Sequence, residues 1–469
     1  MSSTSTRRRR QVTLPPVKMA GLVLGVVLFT VPLLVDVPGL EPVGQRMLAI
    51  FLLALVLFVT EAIPLFATGA LIVMLQVLLI SDEALMPLAE PAGAASEFYS
   101  VFAHPVVILF LGGFLIADGA AKYRLDRNLA SVVLTPFRHD ARLALLALML
   151  LTATLSMFMS NTATAATMFA VLIPVLAALP TAAARAGFAL CIPLAANLGG
   201  LGTPIASPPN AIAVAALAER GVNISFLTWM LALVPLMIIM LLIGWAYLAA
   251  RYVPRGTALA LDLQRDVDTS PAAIFFYVVT ATTILLWFTE PLHGISATTV
   301  GFLPVVALFA STVMNGDDLR ALQWPVLWLV AGGIALGAGV GRSGLDDWFV
   351  SLVSWDMLPA GLLLLVLALF TWALGNLLSN TATANLLIPI ALALAISINA
   401  DLLTVGLLLA ATCSFGFVLP VSTPPNAIAY ATGTVKSSDM IVMGLVLGGA
   451  GVLLLALLMP TLWSFMGVI

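Results

Sequence analysis

The hexapeptide Ser160-Asn161-Thr162-Ala163-Thr164-Ala165 returns unchanged at residues 379–384, about 220 residues further along the 469-residue chain. Other pairs of segments keep the same order at nearly the same spacing. These pairs are Gly112-Gly113 with Gly332-Gly333, Leu125-Asp126 with Leu345-Asp346, and Ser207-Pro208-Pro209-Asn210-Ala211-Ile212-Ala213 with Thr423-Pro424-Pro425-Asn426-Ala427-Ile428-Ala429. Four matches in one order indicate that the chain consists of two related halves.

Apolar sequence surrounds both copies of the hexapeptide. The chain is 62% hydrophobic and 9% charged, with a mean hydropathy of +1.13, whereas an ordinary soluble domain has about 25% charged residues. A globule cannot hide so much apolar surface, so the composition excludes a soluble protein and predicts an all-α polytopic membrane protein. The net charge of -3 excludes a strongly basic nucleic-acid-binding protein. The apolar composition makes the lipid bilayer the expected partner.

Windows of about 20 apolar residues predict eleven membrane spans. They cover residues 17–35, 47–61, 64–80, 98–121, 186–217, 226–250, 271–289, 296–313, 325–341, 402–430 and 440–468. Two more apolar stretches, residues 141–179 and 359–398, carry the repeated hexapeptide near their midpoints. We predict that each forms a hairpin, which either re-enters the membrane from one side or crosses it twice.

The basic residues predict that the N-terminus is cytoplasmic, because Lys and Arg accumulate in short cytoplasmic loops. With this orientation, all of the 19 Lys and Arg residues are cytoplasmic except Arg46, Arg220 and Arg342. An odd number of spans then places the C-terminus outside. The predicted organisation is a basic cytoplasmic tail, a first repeat, a cytoplasmic linker and a second repeat, at residues 1–16, 17–250, 251–270 and 271–469.

The two repeats are predicted to be inverted relative to each other, since an odd number of spans separates matching segments. The charges agree: the segment from Lys122 to Arg142 is basic and predicted inside, whereas its partner from Arg342 to Asp356 is acidic and predicted outside. Inverted repeats with apolar segments broken at matching positions are typical of secondary transporters that bind substrate near the middle of the bilayer.

Polar residues interrupt each predicted hairpin at its tip, and they are costly in hydrocarbon unless they line a protein cavity. Their hydroxyl and amide groups can donate to a carboxylate and accept around a cation. The helix that begins at each tip directs free N–H groups toward an anion, and unwound carbonyl groups before it suit a small cation such as Na+. A helix cap in an ordinary turn would explain one copy. Two symmetric copies favour a binding site.

A double proline interrupts two of the predicted spans, at Ser207-Pro208-Pro209-Asn210 and at Thr423-Pro424-Pro425-Asn426. Proline lacks an N–H group and clashes with the preceding turn, so each span is predicted to unwind there. The freed carbonyl groups then need partners. Neighbouring helices could satisfy a single kink, but four symmetric interruptions converging on one depth favour a site.

The paired Ser-Asn-Thr tips and paired Ser/Thr-Pro-Pro-Asn breaks resemble the divalent anion:sodium symporter family of di- and tricarboxylate carriers over most of the chain. The resemblance implies eleven spans, two re-entrant hairpins, a homodimer and an elevator-type movement of a transport domain. It also implies which residues contact the substrate. These are Ser160, Asn161, Thr162, Ser379, Asn380 and Thr381 at the tips, with Ser207, Pro208, Thr423 and Pro424 closing the site.

The resemblance further implies two sodium sites. The first would consist of Ser156, Ser160, Asn161 and Ala206, and the second of Leu378, Ser379, Asn380, Ser422 and a hydroxyl residue one turn before the tip. This chain has Gly375 at that last position, which removes a side-chain oxygen. The second ion is therefore expected to be held mainly by the backbone, to bind weakly or to be absent.

We therefore expect a sodium-coupled importer of C4-dicarboxylates such as succinate, malate or fumarate in the cytoplasmic (inner) membrane. Every Lys and Arg falls in a loop or at a span end, so bound Na+ would supply the positive charge that a dianion needs. The alternatives are a sodium-independent dicarboxylate exchanger, which Gly375 suggests, and a carrier of sulfate, another divalent anion or citrate. An enzyme is not expected, since no sequence pattern places an activating base beside Ser160 or Ser379.

Overall fold

The computed structural model describes residues 15–137, 140–257, 268–352 and 359–469. Nearly all of the predicted basic tail and residues 258–267 of the predicted linker lie outside the described residues. Residues 138–139 and 353–358, near the predicted starts of the two hairpins, also lie outside them. The regular structure in the described ranges is entirely helical.

The first half of the chain forms eleven described helices. They are α1 (Pro16–Leu34), α2 (Pro42–Thr60), α3 (Leu65–Ile80), α4 (Ala95–Ser100), α5 (Pro105–Lys122), α6 (Leu125–Leu134), α7 (Ala141–Ser156), α8 (Asn161–Ala178), α9 (Ala182–Gly199), α10 (Pro208–Ala218) and α11 (Phe226–Tyr252). Proline occupies the first helical turn of α1, α2, α5 and α10. Its missing N–H costs nothing there, because the first N–H groups of a helix have no intrahelical acceptor.

The second half repeats the order of the first. Its helices are α12 (Pro271–Phe288), α13 (Glu290–His293), α14 (Ala297–Ala310), α15 (Gly316–Ala321), α16 (Trp324–Arg342), α17 (Leu345–Ser351), α18 (Ala360–Leu377), α19 (Asn380–Ser397), α20 (Leu402–Cys413), α21 (Pro424–Ala431), α22 (Ser437–Met443), α23 (Gly449–Leu457) and α24 (Met459–Phe465). A π-helical turn joins α22 to α23. Thus α16 to α21 follow the pattern of α5 to α10.

Helices occupy all eleven predicted span positions. Nine described segments have the length and apolar composition to cross a membrane, which confirms the predicted all-helical, multi-pass fold. Some helix boundaries differ from the predicted span boundaries, because capping hydrogen bonds rather than hydropathy determine where a helix begins or ends. For example, α9 begins at Ala182 instead of residue 186, since the Thr181 hydroxyl accepts a hydrogen bond from the Ala184 N–H at 3.1 Å.

The two predicted hairpins are helix–turn–helix units, α7–α8 and α18–α19, that turn at the repeated tips. Ser160 caps α8, where its Oγ accepts from the Ala163 N–H at 3.2 Å. Ser379 caps α19 in the same way through the Ala382 N–H at 3.3 Å. The capping explanation considered for these serines is therefore correct as local geometry, and both residues also face the cavity described below.

The two proline-containing spans are broken as predicted, but the prolines begin the second helix of each pair instead of lying in the unwound segment. The chain leaves helical geometry after Gly199 and resumes it at Pro208, and it does the same between Cys413 and Pro424. The Asn210 amide donates to the carbonyl groups of Gly200 at 2.7 Å and Thr203 at 2.8 Å. The asparagine of the motif thus satisfies carbonyls that the break leaves free.

The helices pack in two groups. In one group α3 lies against α16, α5 lies against α14, and α2 packs on α3. Glycines permit these close crossings: a side chain at Gly332 would overlap Gly69 of α3, and one at Gly112 would overlap Gly301 of α14. The other group contains both hairpins, both broken spans and α11. Helix α16 borders this second group through α10 and α19.

Candidate functional site

A cavity of about 250 Å³ lies where the two hairpin tips meet the two broken spans. All ten residues predicted to contact substrate line it: Ser160, Asn161, Thr162, Ser207, Pro208, Ser379, Asn380, Thr381, Thr423 and Pro424. Ala206 and Ser422, which were predicted as sodium ligands, line it as well. The cavity is smaller than the 300–1,000 Å³ typical of drug-sized ligands, which suits a small metabolite.

Four helix N-termini converge on this cavity. The residues that precede α8, α10, α19 and α21 are Ser160, Ser207, Ser379 and Thr423, and each of them lines the cavity. Helix N-termini carry partial positive charge and unpaired N–H donors, so they attract anions. Since no charged side chain is among the described lining residues, these dipoles, hydroxyls and amides dominate the electrostatics of the site.

The first predicted ion site is closed by internal hydrogen bonds. The buried Ser156 hydroxyl lies 2.8 Å from Asn161 Oδ1 and 2.8 Å from the Ala196 carbonyl oxygen. The Ser160 Oγ accepts from the Ala163 N–H and from the Gln323 side chain, each at 3.2 Å. Protein donors therefore approach the side-chain oxygens of both Ser160 and Asn161.

The second predicted ion site is different, because Asn380 Oδ1 is buried and has no hydrogen-bond partner among the described residues. The neighbouring Asn376 makes other contacts: its Oδ1 accepts from the Val418 N–H at 2.9 Å, and its carbonyl oxygen accepts from Ser422 at 3.1 Å. A Cβ added at Gly375 would lie 3.8 Å from Asn380 Oδ1, at ordinary contact distance. A buried carbonyl oxygen without a donor is a suitable ligand for a small, hard cation.

Each tip asparagine packs against a glycine of an unwound segment. A Cβ at Gly200 would lie 2.8 Å from Asn161 Nδ2, and a Cβ at Gly416 would lie 2.5 Å from Asn380 Oδ1. These distances are shorter than carbon can tolerate without movement of the chain. The two glycines therefore let the broken spans approach the tips closely enough for backbone carbonyls and tip amides to share one site.

Comparison with known families gives a match over almost the entire chain. The sequence model described as the sodium:sulfate symporter transmembrane region matches residues 17–469. The chain belongs to the divalent anion:sodium symporter family. This result confirms the resemblance inferred from the paired tips and breaks. It also confirms that the protein is not an enzyme, since the family and the matched relatives are transporters.

Several relatives of this protein align along nearly their whole length. An uncharacterized transporter of Haemophilus influenzae is 31% identical over 470 residues, covering 94% of this chain and 96% of the relative. The sodium-dependent dicarboxylate transporters SdcS of Staphylococcus saprophyticus and Staphylococcus aureus are 29% and 30% identical, and each alignment covers 91% of this chain and 88% of the relative.

A solved structure shares the fold of this chain. The crystal structure of the Alcanivorax borkumensis YdaH transporter, described as having an unusual topology, superimposes with a TM-score of 0.58. The alignment covers 91% of this chain and 99% of YdaH, at 15% sequence identity. At this identity the comparison concerns the fold alone, and it agrees with a polytopic membrane transporter.

Three polar residues that line the cavity between the tips were not predicted: Asn197, Gln323 and Ser414. Asn197 is buried in α9 and donates to Thr423 Oγ1 at 3.2 Å and to Asn426 Oδ1 at 3.3 Å, so it ties the first repeat to the second. An asparagine inside an apolar span is itself a signal of function, and this one could have been found. Gln323 carried no such signal, because it precedes a predicted span.

A second cavity, of about 410 Å³, is lined by charged groups. Its lining includes Arg220, Arg342, Glu219 and Asp346. The Arg220 guanidinium lies 3.7 Å from Asp346, and that of Arg342 lies 2.6 Å from Glu97. Burial raises the pKa of Glu219, which follows the end of α10, to about 7. Since both arginines are already paired with carboxylates, this cavity is less suited to a dianion than the cavity between the tips.

Proposed function

We propose that this symporter imports C4-dicarboxylates such as succinate, malate or fumarate and is driven by the sodium gradient. The observation that carries the proposal is the convergence of two Ser-Asn-Thr tips and four helix N-termini on one uncharged cavity. The named relatives SdcS are sodium-dependent dicarboxylate transporters, and their likeness supports the same substrate class here.

The pairing of the tips favours a substrate with two anionic groups. Ser160, Asn161 and Thr162 approach the cavity from one repeat, and Ser379, Asn380 and Thr381 approach it from the other. A dicarboxylate can place one carboxylate at each tip, where hydroxyls, amides and helix N–H groups donate to it. Sulfate is more compact and would be held by one tip at a time, which makes it the weaker candidate.

Sodium coupling follows from the charge of the site. A dianion in a cavity without charged side chains needs a compensating cation, since transfer of an unpaired charge from water is costly. Asn380 Oδ1, which has no hydrogen-bond partner among the described residues, offers an oxygen ligand in the second ion site. The oxygens of Ser156, Ser160 and Asn161 in the first site already take part in hydrogen bonds, which sodium would have to replace. The need for a compensating cation argues against the sodium-independent exchanger suggested by Gly375.

Transport then requires the site to face the two sides of the membrane in turn. In our proposal residues 17–250 and 271–469 form inverted repeats, and the hairpins at 141–179 and 359–398 are re-entrant. The helix group that holds the tips moves as an elevator against the group that contains α3, α5, α14 and α16. The group that contains α3, α5, α14 and α16 also provides the contacts of a homodimer.

Serine at position 375 tests the proposed second ion site. Gly375→Ser introduces a hydroxyl where the first repeat has Ser156, and the added Cβ meets nothing closer than 3.8 Å. One further oxygen ligand is expected to lower the sodium concentration for half-maximal uptake by about two- to tenfold. Gly375→Ala is the matched control, because it adds the Cβ without the oxygen. Equal sodium dependence of the serine and alanine variants would rule out this explanation.

The proposed location is the cytoplasmic (inner) membrane, with the N-terminus inside and the C-terminus outside, and cysteine labelling can test this orientation. Both native cysteines are buried, so an added cysteine supplies the accessible thiol. Asp347 is exposed in α17, which follows α16, and Asp317 is exposed in α15, which precedes it. A membrane-impermeant maleimide is expected to label Asp347→Cys in intact cells and Asp317→Cys only after permeabilisation. The reverse pattern would invert the topology.

Uptake into proteoliposomes tests the function itself. We expect radiolabelled succinate to accumulate above equilibrium when an inward sodium gradient is imposed, and not when choline replaces sodium. A parallel series contains unlabelled succinate inside the vesicles. Uptake that requires internal succinate and ignores sodium would establish an exchanger instead. If neither condition gives uptake, labelled sulfate and citrate are the next substrates, and accumulation of either would replace dicarboxylate as the cargo.

A further inference from the structure

Gln323 makes an unusual contact for a residue at a helix start. It is the N-cap of α16, yet its side chain makes no hydrogen bond to its own helix. Its Nε2 instead donates to Ser160 Oγ at 3.2 Å, across 163 residues of chain. Because α16 packs with α3 and lies outside the hairpin units, this bond joins the first tip to the other helix group.

The Gln323 bond changes what Ser160 can bind. A hydroxyl oxygen has two lone pairs and one proton. The Ala163 N–H and Gln323 Nε2 are both directed at the Ser160 oxygen, so both lone pairs are in use. The hydroxyl can still donate its proton to a carboxylate. It cannot act as a sodium ligand at the same time, since an oxygen binds a cation through a lone pair.

This contact has no counterpart in the other half of the chain. The glycine pairs at 112–113 and 332–333 align the repeats, and this alignment places Ala103 opposite Gln323. The alanine side chain has no hydrogen-bond donor. At the second tip, Ser379 Oγ accepts from the Ala382 N–H within its own helix. The described residues thus show one tip contacted by a glutamine of α16 and one tip without that contact.

We propose that Gln323 displaces sodium from the first ion site when the first tip reaches the N-terminal end of α16. This inference rests on the proposed sodium-coupled transport. In our topology that end of α16 is cytoplasmic, and the cavity wall there also includes Leu65 and Val326. The amide takes a lone pair from the ion ligand Ser160 at the inner position of the tip. When the tip moves away the bond breaks and Ser160 regains the capacity to bind sodium.

The contact between Gln323 and Ser160 would determine on which side of the membrane sodium is released. Sodium would bind while Ser160 is out of reach of Gln323 and would be expelled where the two residues meet. The substrate carboxylate would lose its neighbouring cation at the same position, which weakens its binding and promotes release into the cytoplasm. Gln323 therefore acts as a positioning residue through Ser160 and needs no contact with the substrate.

The test compares two variants that cannot donate. Gln323→Met keeps the length of the side chain but removes the amide, and Gln323→Glu places an acceptor beside the ion site. Sodium affinity is measured on purified protein by fitting the rise in unfolding temperature to its logarithmic dependence on sodium concentration divided by the dissociation constant. We expect the affinity to increase about two- to tenfold in the methionine variant, the effect of losing one competing hydrogen bond. It should increase further in the glutamate variant, and maximal uptake should fall in both.

Gln45→Met is the matched control. Gln45 donates to the carbonyls of Pro32 and Val35 near the start of α2, away from the cavity, so its loss should leave sodium affinity unchanged. If Gln323 has only a structural role, both variants should be less stable than the wild type. Their sodium affinities should then not increase in the order wild type, methionine variant, glutamate variant. If the wild type shows sodium-driven uptake while both Gln323 variants keep its sodium affinity, the inference is overturned. If the wild type shows no sodium-driven uptake, the proposed sodium-coupled function is wrong, and the proposed role of Gln323, which rests on it, is wrong as well.

Discussion

Replacing Asn380 with alanine is expected to reduce sodium-driven succinate uptake to about 1% of the wild-type rate or less. Asn380 is proposed to contact a substrate carboxylate through its amide and sodium through the buried Oδ1, which has no hydrogen-bond partner in the part of the chain that the structure describes. Hydrogen bonds to charged groups contribute about 1.5–3 kcal/mol each. Losing both contacts therefore costs at least about 3 kcal/mol, or roughly a 150-fold loss.

The equivalent change at the first tip, Asn161→Ala, should have a similar effect on uptake. Asn223→Ala is the control, because this asparagine is exposed in the connection between α10 and α11. Uptake is measured in proteoliposomes containing equal amounts of protein that elutes as a single species from size-exclusion chromatography. Near-normal uptake by properly folded Asn161→Ala and Asn380→Ala proteins would remove both tips from the binding site.

Gly416→Ala is the second change with a large expected effect. The added Cβ would lie 2.5 Å from Asn380 Oδ1 and 2.7 Å from the Gly375 carbonyl oxygen. The carbonyl belongs to the backbone of α18 and cannot rotate away, so the broken span and the hairpin must separate. Overpacking of this kind costs about 1–3 kcal/mol. Because the displaced atoms are proposed ion ligands, we expect uptake to fall at least about tenfold.

A glycine at the start of α18 provides the control for this substitution. Gly361 has open space around the position of an added Cβ, so Gly361→Ala should preserve uptake. Succinate transport and sodium-dependent unfolding temperature are measured for both variants. If Gly416→Ala retains wild-type transport and sodium affinity, the close approach of the broken span to Asn380 is irrelevant to binding.

The sequence alone predicts the membrane fold and the residues of the tips and breaks that meet at the cavity. Polar groups and paired prolines are costly inside apolar spans, so their presence at matching positions of two repeats stands out. This argument identified Asn161 and Asn380 at the tips and Ser207 and Thr423 at the breaks, and the structure places all four on one cavity. The internal repeat thus identifies these positions in the way that an alignment of related sequences normally does.

Other parts of the cavity could not be predicted from the chain. Phe110 and Phe114 line it, but an apolar residue in a membrane helix is the ordinary case and gives no signal. The partner of Gln323 depends on the tertiary approach of α16 to the first tip. Likewise, Gly375 predicted only a missing oxygen. Only the packing shows that Asn380 Oδ1 is buried without a hydrogen-bond partner among the described residues.

The most direct test of the central claim is a cryo-electron microscopy structure of the protein in lipid nanodiscs with sodium and succinate. We expect succinate to bridge the two tips, with its carboxylates at Asn161 and Asn380 and sodium beside Asn380 Oδ1. Succinate bound instead in the charged cavity at Arg220 and Arg342, with the cavity between the tips unchanged, would contradict it.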